Sequence, residues 1–333
     1  MKTRFLIAGV AASFALAGHA AAADVICYNC PPEWADWGTM LKSIKVDLGL
    51  DVPHDNKNSG QTLSTLIADK ANPVADIAYY GVTFGIKARE AGVVVPYTPK
   101  YFGEIPAGLK AADGSWFTIH YGTIGFFVNV DALRGVPVPK SWRDLLKPEY
   151  SGLVGYLDPT SAAVGYAGAT AANLALGGSL DNWRPGIDYY KALKKNRPIV
   201  PLQTSYARVL SGEIPIMFDY DFNAMRAKFK DKCNCAFVIP QEGTIVLPYV
   251  MSLVKNGPHP ANAKKVLDYL LSDKGQAIWA NAFLRPIRPA AMTPDIAAKF
   301  LPAEEYKRAL VIDYAKMEAT QNTFRDLYQK EVR

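Results

Sequence analysis

The chain has 333 residues, half of them hydrophobic and a fifth charged, with 25 Gly and 23 Pro. That composition excludes a disordered, collagenous or low-complexity protein, and the length allows about two domains. The formal charge is +6, but Lys and Arg are scattered, which argues against nucleic acid as a partner.

Lys2 and Arg4 precede a short apolar run, Phe5 to Ala17, and small residues ending Ala21-Ala22-Ala23. Residues 1–23 therefore read as a cleaved signal peptide of bacterial style, which points to the periplasm. Beyond it, no apolar run reaches the ~20 residues of a membrane span.

Downstream, strands alternate with helices. Asp24–Ile26 reads as a strand, and Glu33–Leu50 as a helix with Trp34, Trp37, Leu41, Ile44 and Leu48 at helical spacing and Gly49 as its stop. After the turn Asn58-Ser59-Gly60 come a helix over Gln61–Asp69, a buried strand over Ala75–Tyr80 and a helix over Thr83–Ala91. Phe117–Val130 is a long β-rich stretch that leaves one lobe for another. Ser141-x-x-Asp144 marks a capped short helix. Strands follow at Gly155–Leu157, Ile214–Phe218, Cys235–Ile239 and Ile245–Val254; helices at Ala162–Leu176, Ile187–Lys195, Ser205–Ser211, Phe222–Phe229, Ala261–Leu271 and Gly275–Phe283. Glu304–Lys330 reads as a helical tail. The alternation implies an open α/β sheet.

Four cysteines fall as Cys27-x-x-Cys30 and Cys233-x-Cys235. An oxidising compartment favours disulfides, and Cys27–Cys30 can close a small loop. A Cys233–Cys235 bridge strains its backbone, so pairing between the two sets stays open. The order strand, C-x-x-C, helix is also that of a thioredoxin site, but a two-lobed pattern follows, which favours a structural bridge. His54, His120 and His259 stand at no ligand-like spacing from the cysteines, and no metal or cofactor motif is present. Neither G-x-S-x-G, H-E-x-x-H nor a P-loop occurs, so the chain does not read as an enzyme.

The first lobe is left near Tyr121 and re-entered near Gly243, which divides the chain into 24–122 plus 244–333 and 123–243. Two linkers make a hinge and leave a cleft, where open α/β sheets bind ligands.

Several ordered segments carry a resemblance. They include Asn58-Ser59-Gly60, Ala75-Asp76-Ile77-Ala78 with Tyr80-Gly81, Tyr121 to Asn129, Ser141-Trp142-Arg143-Asp144-Leu145, Asp158-Pro159-Thr160-Ser161, Ser211-Gly212-Glu213-Ile214 before Phe218-Asp219-Tyr220, Asn256 to Ala263, and Ser272 to Gln276. The set resembles the substrate-binding proteins of ABC transporters with the two-lobed type II periplasmic fold. Within that fold it is most similar to the ferric-ion, phosphonate, thiamine and polyamine group (extracellular solute-binding family 1). The resemblance implies a monomer that captures a small-molecule ligand by hinge closure and delivers it to a membrane permease. Iron-binding members carry adjacent tyrosines where this chain reads Asp219-Tyr220-Asp221.

Locally, Asp219 and Asp221 beside Tyr220 suit a cationic nitrogen, with Trp34, Tyr80 and Tyr121 as aromatic walls. The alternative is that an Asp caps the helix at Phe222, and that Trp37 is core. Ser59-Gly60, Ser161-Ala162 and Ser205-Tyr206 begin helices whose N-termini attract an anion, with Gly81 at a strand exit and Ala162, Ala163 and Gly165 allowing close approach. Arg208 is either a partner for an acid group or a surface residue. Acids on one side and helix N-termini on the other predict a zwitterion, such as an aminoalkylphosphonate or an amino-acid-like molecule. Ferric iron, polyamine or thiamine are alternatives, as is a thiol-disulfide role for Cys27 and Cys30.

Overall fold

The computed structural model describes residues 24–32, 34–201 and 205–333; the expected signal peptide lies outside them. Among these residues the strands are β1 (Cys27–Tyr28), β2 (Ile77–Gly81), β3 (Val94–Val95), β4 (Phe117–Asn129), β5 (Val154–Gly155), β6 (Ile216–Tyr220), β7 (Cys235–Val238), β8 (Thr244–Val254), β9 (Arg285–Pro286) and β10 (Ala309–Leu310). The helices are α1 (Trp37–Leu48), α2 (Ser59–Ala68), α3 (Val82–Glu90), α4 (Ala163–Ala175), α5 (Arg184–Lys194), α6 (Tyr206–Leu210), α7 (Asp221–Phe229), α8 (Pro260–Leu270), α9 (Asp273–Asn281), α10 (Pro294–Ala297), α11 (Ala303–Tyr306), α12 (Tyr314–Ala319) and α13 (Gln321–Glu331). The fold is two-lobed α/β, as the strand–helix alternation predicts.

β4 holds the two halves together. Its first part pairs antiparallel with β8, from Phe117↔Met251 to Thr123↔Val246. From Ile124↔Tyr220 to Val128↔Ile216 its partner is β6, and β7 lines its other edge. In the first half, β8 also pairs with β2, which pairs parallel with β1. In the second, β5 pairs parallel with β6. Thr244 Oγ1 donates to the Ile124 carbonyl at 2.7 Å, joining the start of β8 to β4 where the partner changes.

Local signals explain several elements. α1 buries Trp37, Met40 and Ile44 and stops at Gly49, whose φ of 70° is in the left-handed region. Asn58 and Gln61 form a reciprocal capping box at the start of α2. At 144–146 a single 3₁₀ turn forms rather than a longer helix: the Asp144 N–H donates to Ser141 Oγ, while the Asp144 carboxylate accepts from Lys140 rather than Ser141.

Two expectations need correction. The tail is not one helix: β10 pairs with β8 at Ala309↔Thr244, and this edge pairing keeps the chain extended between α11 and α12. Nor does the whole of 244–333 stay with the first lobe. α13 packs on the second, where the Tyr328 and Tyr156 hydroxyls lie 3.0 Å apart and Phe324 packs on Tyr166 and Trp183, while α12 lies on α3 and β8 and accepts the Tyr166 hydroxyl at Met317. Burying the apolar face of α13 drives that third passage. The cysteines pair as Cys27–Cys30 and Cys233–Cys235, the latter with Cα atoms 5.0 Å apart, within the ordinary span of a bridge.

Gly165 lets α4 press against the exit of β5. A Cβ there would stand 2.3 Å from the Leu157 carbonyl oxygen and 2.8 Å from the Asp158 backbone. The close approach is thus to the chain's own loop, the one that carries Ser161. Gly165→Ala is expected to destabilise the fold by about 1–3 kcal/mol through overpacking, measured by denaturant unfolding. An unchanged midpoint would show that the loop yields freely.

Candidate ligand-binding cleft

A cavity of about 170 Å³ opens between the lobes. Ser59, Gly81, Val82, Thr83 and Phe84 form its first-lobe wall. Thr160, Ser161, Ala162, Ala163, Tyr166 and Tyr220 form the opposite one. Leu247, Pro248 and Tyr249 of β8 supply the floor, and Met317, Glu318 and Gln321 of α12 and α13 a further side.

The walls are shaped by backbone. Gly81 caps the start of α3 and Ala162 that of α4, and neither cap has a side-chain hydrogen bond. The N–H groups of Val82, Thr83 and Ala163 therefore have no acceptor among the described residues. Two helix N-termini, one from each lobe, carry partial positive charge into one small space that has no Lys or Arg in its lining. Gly81 N–H donates to Ser59 Oγ at 3.2 Å, tying α2 to α3. Across the cleft, Asp158 organises the loop before α4. Its carboxylate accepts from Thr160 N–H and Oγ, and its carbonyl from Ser161 and Ala162 N–H.

Of the predicted residues, Ser59, Gly81, Ser161, Ala162 and Tyr220 meet here. The others do not line this cavity. Gly60 sits in the first turn of α2, facing Asn58 and the Phe84 ring. Tyr80 is fully buried in the core of the first half-sheet. Trp34 donates to the Tyr79 hydroxyl at 3.3 Å and packs on Phe222 and Tyr249, bracing the lobes behind the cavity. Tyr121 faces Arg285 on β9. Ser205 is buried at the start of the short α6, and Tyr206 donates to Asp231 under the Arg226 guanidinium. The second-lobe N-terminus is thus that of α4 alone, and α3 supplies the other. Arg208 is an exposed partner of Glu213.

The two acids expected to hold a cation are buried instead. Asp219 accepts from Tyr220 N–H at 2.8 Å and from Asn223 Nδ2 at 3.1 Å. Asp221, in the first turn of α7, accepts from Thr123 N–H at 3.0 Å and Phe222 N–H at 2.9 Å, with Arg285 and Tyr306 close by. Burial pushes both carboxyls up to about 6. Side chains point alternately along β6, so Tyr220 faces the cleft while Asp219 faces away.

The floor belongs to an aromatic cluster. Tyr220 and Tyr249 hydroxyls lie 3.4 Å apart, Tyr79 stacks on Tyr249, and the Tyr79 hydroxyl is 2.9 Å from His120 Nε2. Burial holds the His120 imidazole neutral, with its protonation moved down to about 3. Burial also raises the Tyr249 hydroxyl to about 12, so the floor presents neutral phenols. No three His, Cys, Asp or Glu among the described residues cluster so as to hold a metal. Cys27 and Cys30 are bridged and fully buried, out of reach of a partner thiol. Sequence reasoning missed Thr83, Phe84, Tyr166, Tyr249 and the α12–α13 residues. Only Tyr249, in a strand beside the crossover, carried a local signal.

The model of a family described as bacterial extracellular solute-binding proteins matches residues 72–320. A Haemophilus influenzae protein of uncharacterised role is 29% identical over 286 residues, 81% of this chain and 79% of that one. A Salmonella typhimurium protein, provisionally named for periplasmic binding of 2-aminoethylphosphonate, is 25% identical over 68% of this chain and 66% of its own. Two solved structures share the fold. They are the periplasmic binding protein AfuA of Actinobacillus pleuropneumoniae with fructose-6-phosphate bound (TM-score 0.77, 20% identity, 93% of this chain and 99% of that one) and iron-bound HitA of Pseudomonas aeruginosa (TM-score 0.75, 21% identity, 92% and 99%). With a family model spanning most of its length, the chain belongs to the bacterial extracellular solute-binding proteins, the periplasmic binding components of ABC transporters.

Proposed function

We propose that this protein captures a small solute with a phosphonate or similar anionic head, an aminoalkylphosphonate being favoured, and hands it to a membrane permease. The carrying observation is the pair of uncapped helix N-termini, from α3 and α4, that enter one cavity from opposite lobes. An oxyanion between them accepts hydrogen bonds from both lobes at once. Those bonds exist only when the lobes are together, so the ligand stabilises the closed form by its differential affinity.

An aminoalkylphosphonate of a few heavy atoms fits within the cavity's 170 Å³. The similarity to a protein named for 2-aminoethylphosphonate agrees with that reading. Iron gains less support: one cleft tyrosine on the β6 exit is flanked by acids turned inward. A purely cationic solute such as a polyamine or thiamine needs paired carboxylates, and the described lining carries one, Glu318.

A thermal-shift and calorimetric screen of 2-aminoethylphosphonate, phosphate, fructose 6-phosphate, ferric citrate, spermidine and thiamine tests this. 2-Aminoethylphosphonate is expected to raise the melting midpoint most. A larger rise with any solute lacking an anionic head would overturn the proposal.

Ala163→Pro probes the N–H itself. Proline is tolerated at the first helical position, and Ala162 already has the extended backbone that a following proline requires. The variant is expected to keep its melting midpoint and to lose about tenfold in affinity, the worth of one charge-assisted hydrogen bond.

Asp219→Asn and Asp221→Asn are expected to leave affinity nearly unchanged. Their effect is on stability. Both carboxyls protonate more readily folded than unfolded, so the native state binds more protons between about pH 4 and 6, and these groups make stability fall as pH rises through that window. Each Asn variant should flatten that fall in melting midpoint between pH 4 and 7. A large loss of affinity instead would return the carboxylates to the site.

A further inference from the structure

We infer that Glu318, on α12, is the residue that selects a solute carrying a cationic nitrogen. The assignment rests on the reading of the cavity as an anion-head site and adds the group that reads the other end.

Among the described lining residues Glu318 is the one carboxylate, and it shares a space of 170 Å³ with the two helix N-termini. A solute whose head meets Val82 and Ala163 has little room in which to place a second charge away from Glu318. The carboxylate is also fixed. Glu318 Oε1 pairs with Lys87 Nζ at 2.6 Å, and the Tyr166 hydroxyl anchors α12 by donating to the Met317 carbonyl at 2.6 Å. A carboxylate holds lone pairs on both oxygens, so Glu318 can accept from an ammonium through Oε2 while Oε1 stays on Lys87. Tyr220 and Tyr249 line the same space, and their hydroxyl oxygens are further acceptors for an ammonium.

Lys87 explains how one cavity serves opposite charges. Glu318 alone would repel an incoming phosphonate; paired with Lys87 it leaves the rim close to neutral while keeping a directed acceptor. Lys87 sits on α3 and Glu318 on α12, which packs on α3 and β8 while accepting the Tyr166 hydroxyl from the second lobe. The pair thus also holds α12 on α3, and a purely mechanical role is the competing account.

Calorimetry with 2-aminoethylphosphonate and ethylphosphonate, which differ by the amine alone, separates the two. The wild type is expected to prefer the amino compound. Glu318→Gln should weaken 2-aminoethylphosphonate by about tenfold or more and leave ethylphosphonate within about twofold. Lys87→Gln removes the tie but keeps the carboxylate, and should retain a preference for the amino compound. If Glu318→Gln weakens both ligands alike, or if Lys87→Gln abolishes the preference as fully, the pair is a strut and the assignment is overturned while the anion-head reading stands. If the wild type binds neither phosphonate, the anion-head reading itself fails and the assignment falls with it.

Discussion

One strand has to satisfy its backbone in two sheets. β4 hydrogen-bonds with β8 up to Thr123 and with β6 from Ile124 onward, so the lobes share a continuous piece of extended chain. Strands are stiff along their length, and the soft point is where one ladder ends and the next begins. The structure reinforces that point from both sides. Asp221 takes the Thr123 N–H that β6 no longer reaches, and Thr244 donates to the Ile124 carbonyl. Buried backbone groups need partners, and at a change of sheet side chains must provide them.

The cleft follows from this join. Because the half-sheets meet along β4, the strand ends and the helices they feed point toward one another. β2 delivers α3, and the exit of β5 delivers α4, each with its N-terminus inward. The partial positive charge at the cleft thus comes from the peptide backbone rather than from cationic side chains, and net charge says little about it. Gly81, Ala162 and Ala163 are small residues at these helix starts.

The aromatic cluster supports the other side. Tyr79, His120, Tyr249, Tyr220, Phe222 and Trp34 form a chain of ring contacts from one lobe to the other. Their bulk fills the join, and their buried hydroxyls and imidazole stay uncharged. Acid groups beside them, Asp219 and Asp221, are held by backbone and Asn223 donors instead of facing solvent. They stabilise the turn from β6 into α7, which in turn aims Tyr220 at the cleft.

Much of this was legible in the residues. Periodicity and stop signals located β4, β8, α1, α2 and α4 to within a few positions, because a strand or helix that buries one face must repeat its apolar residues at that element's period. Ser59, Gly81, Ser161 and Ala162, singled out because helix starts are set by short-range chemistry, do line one cavity. What the sequence could not reveal was which helix starts share a space: Ser205 and Tyr206 look as suitable as Ser161, yet α6 lies elsewhere. Nor could it show that Asp219 faces inward, since one residue of shift along a strand reverses a side chain. The return of α13 to the second lobe, which draws α12 and Glu318 along the cleft, is written in no local pattern. It is decided by where Phe324 and Tyr328 can bury their rings, and that depends on surfaces that exist only once both lobes have formed.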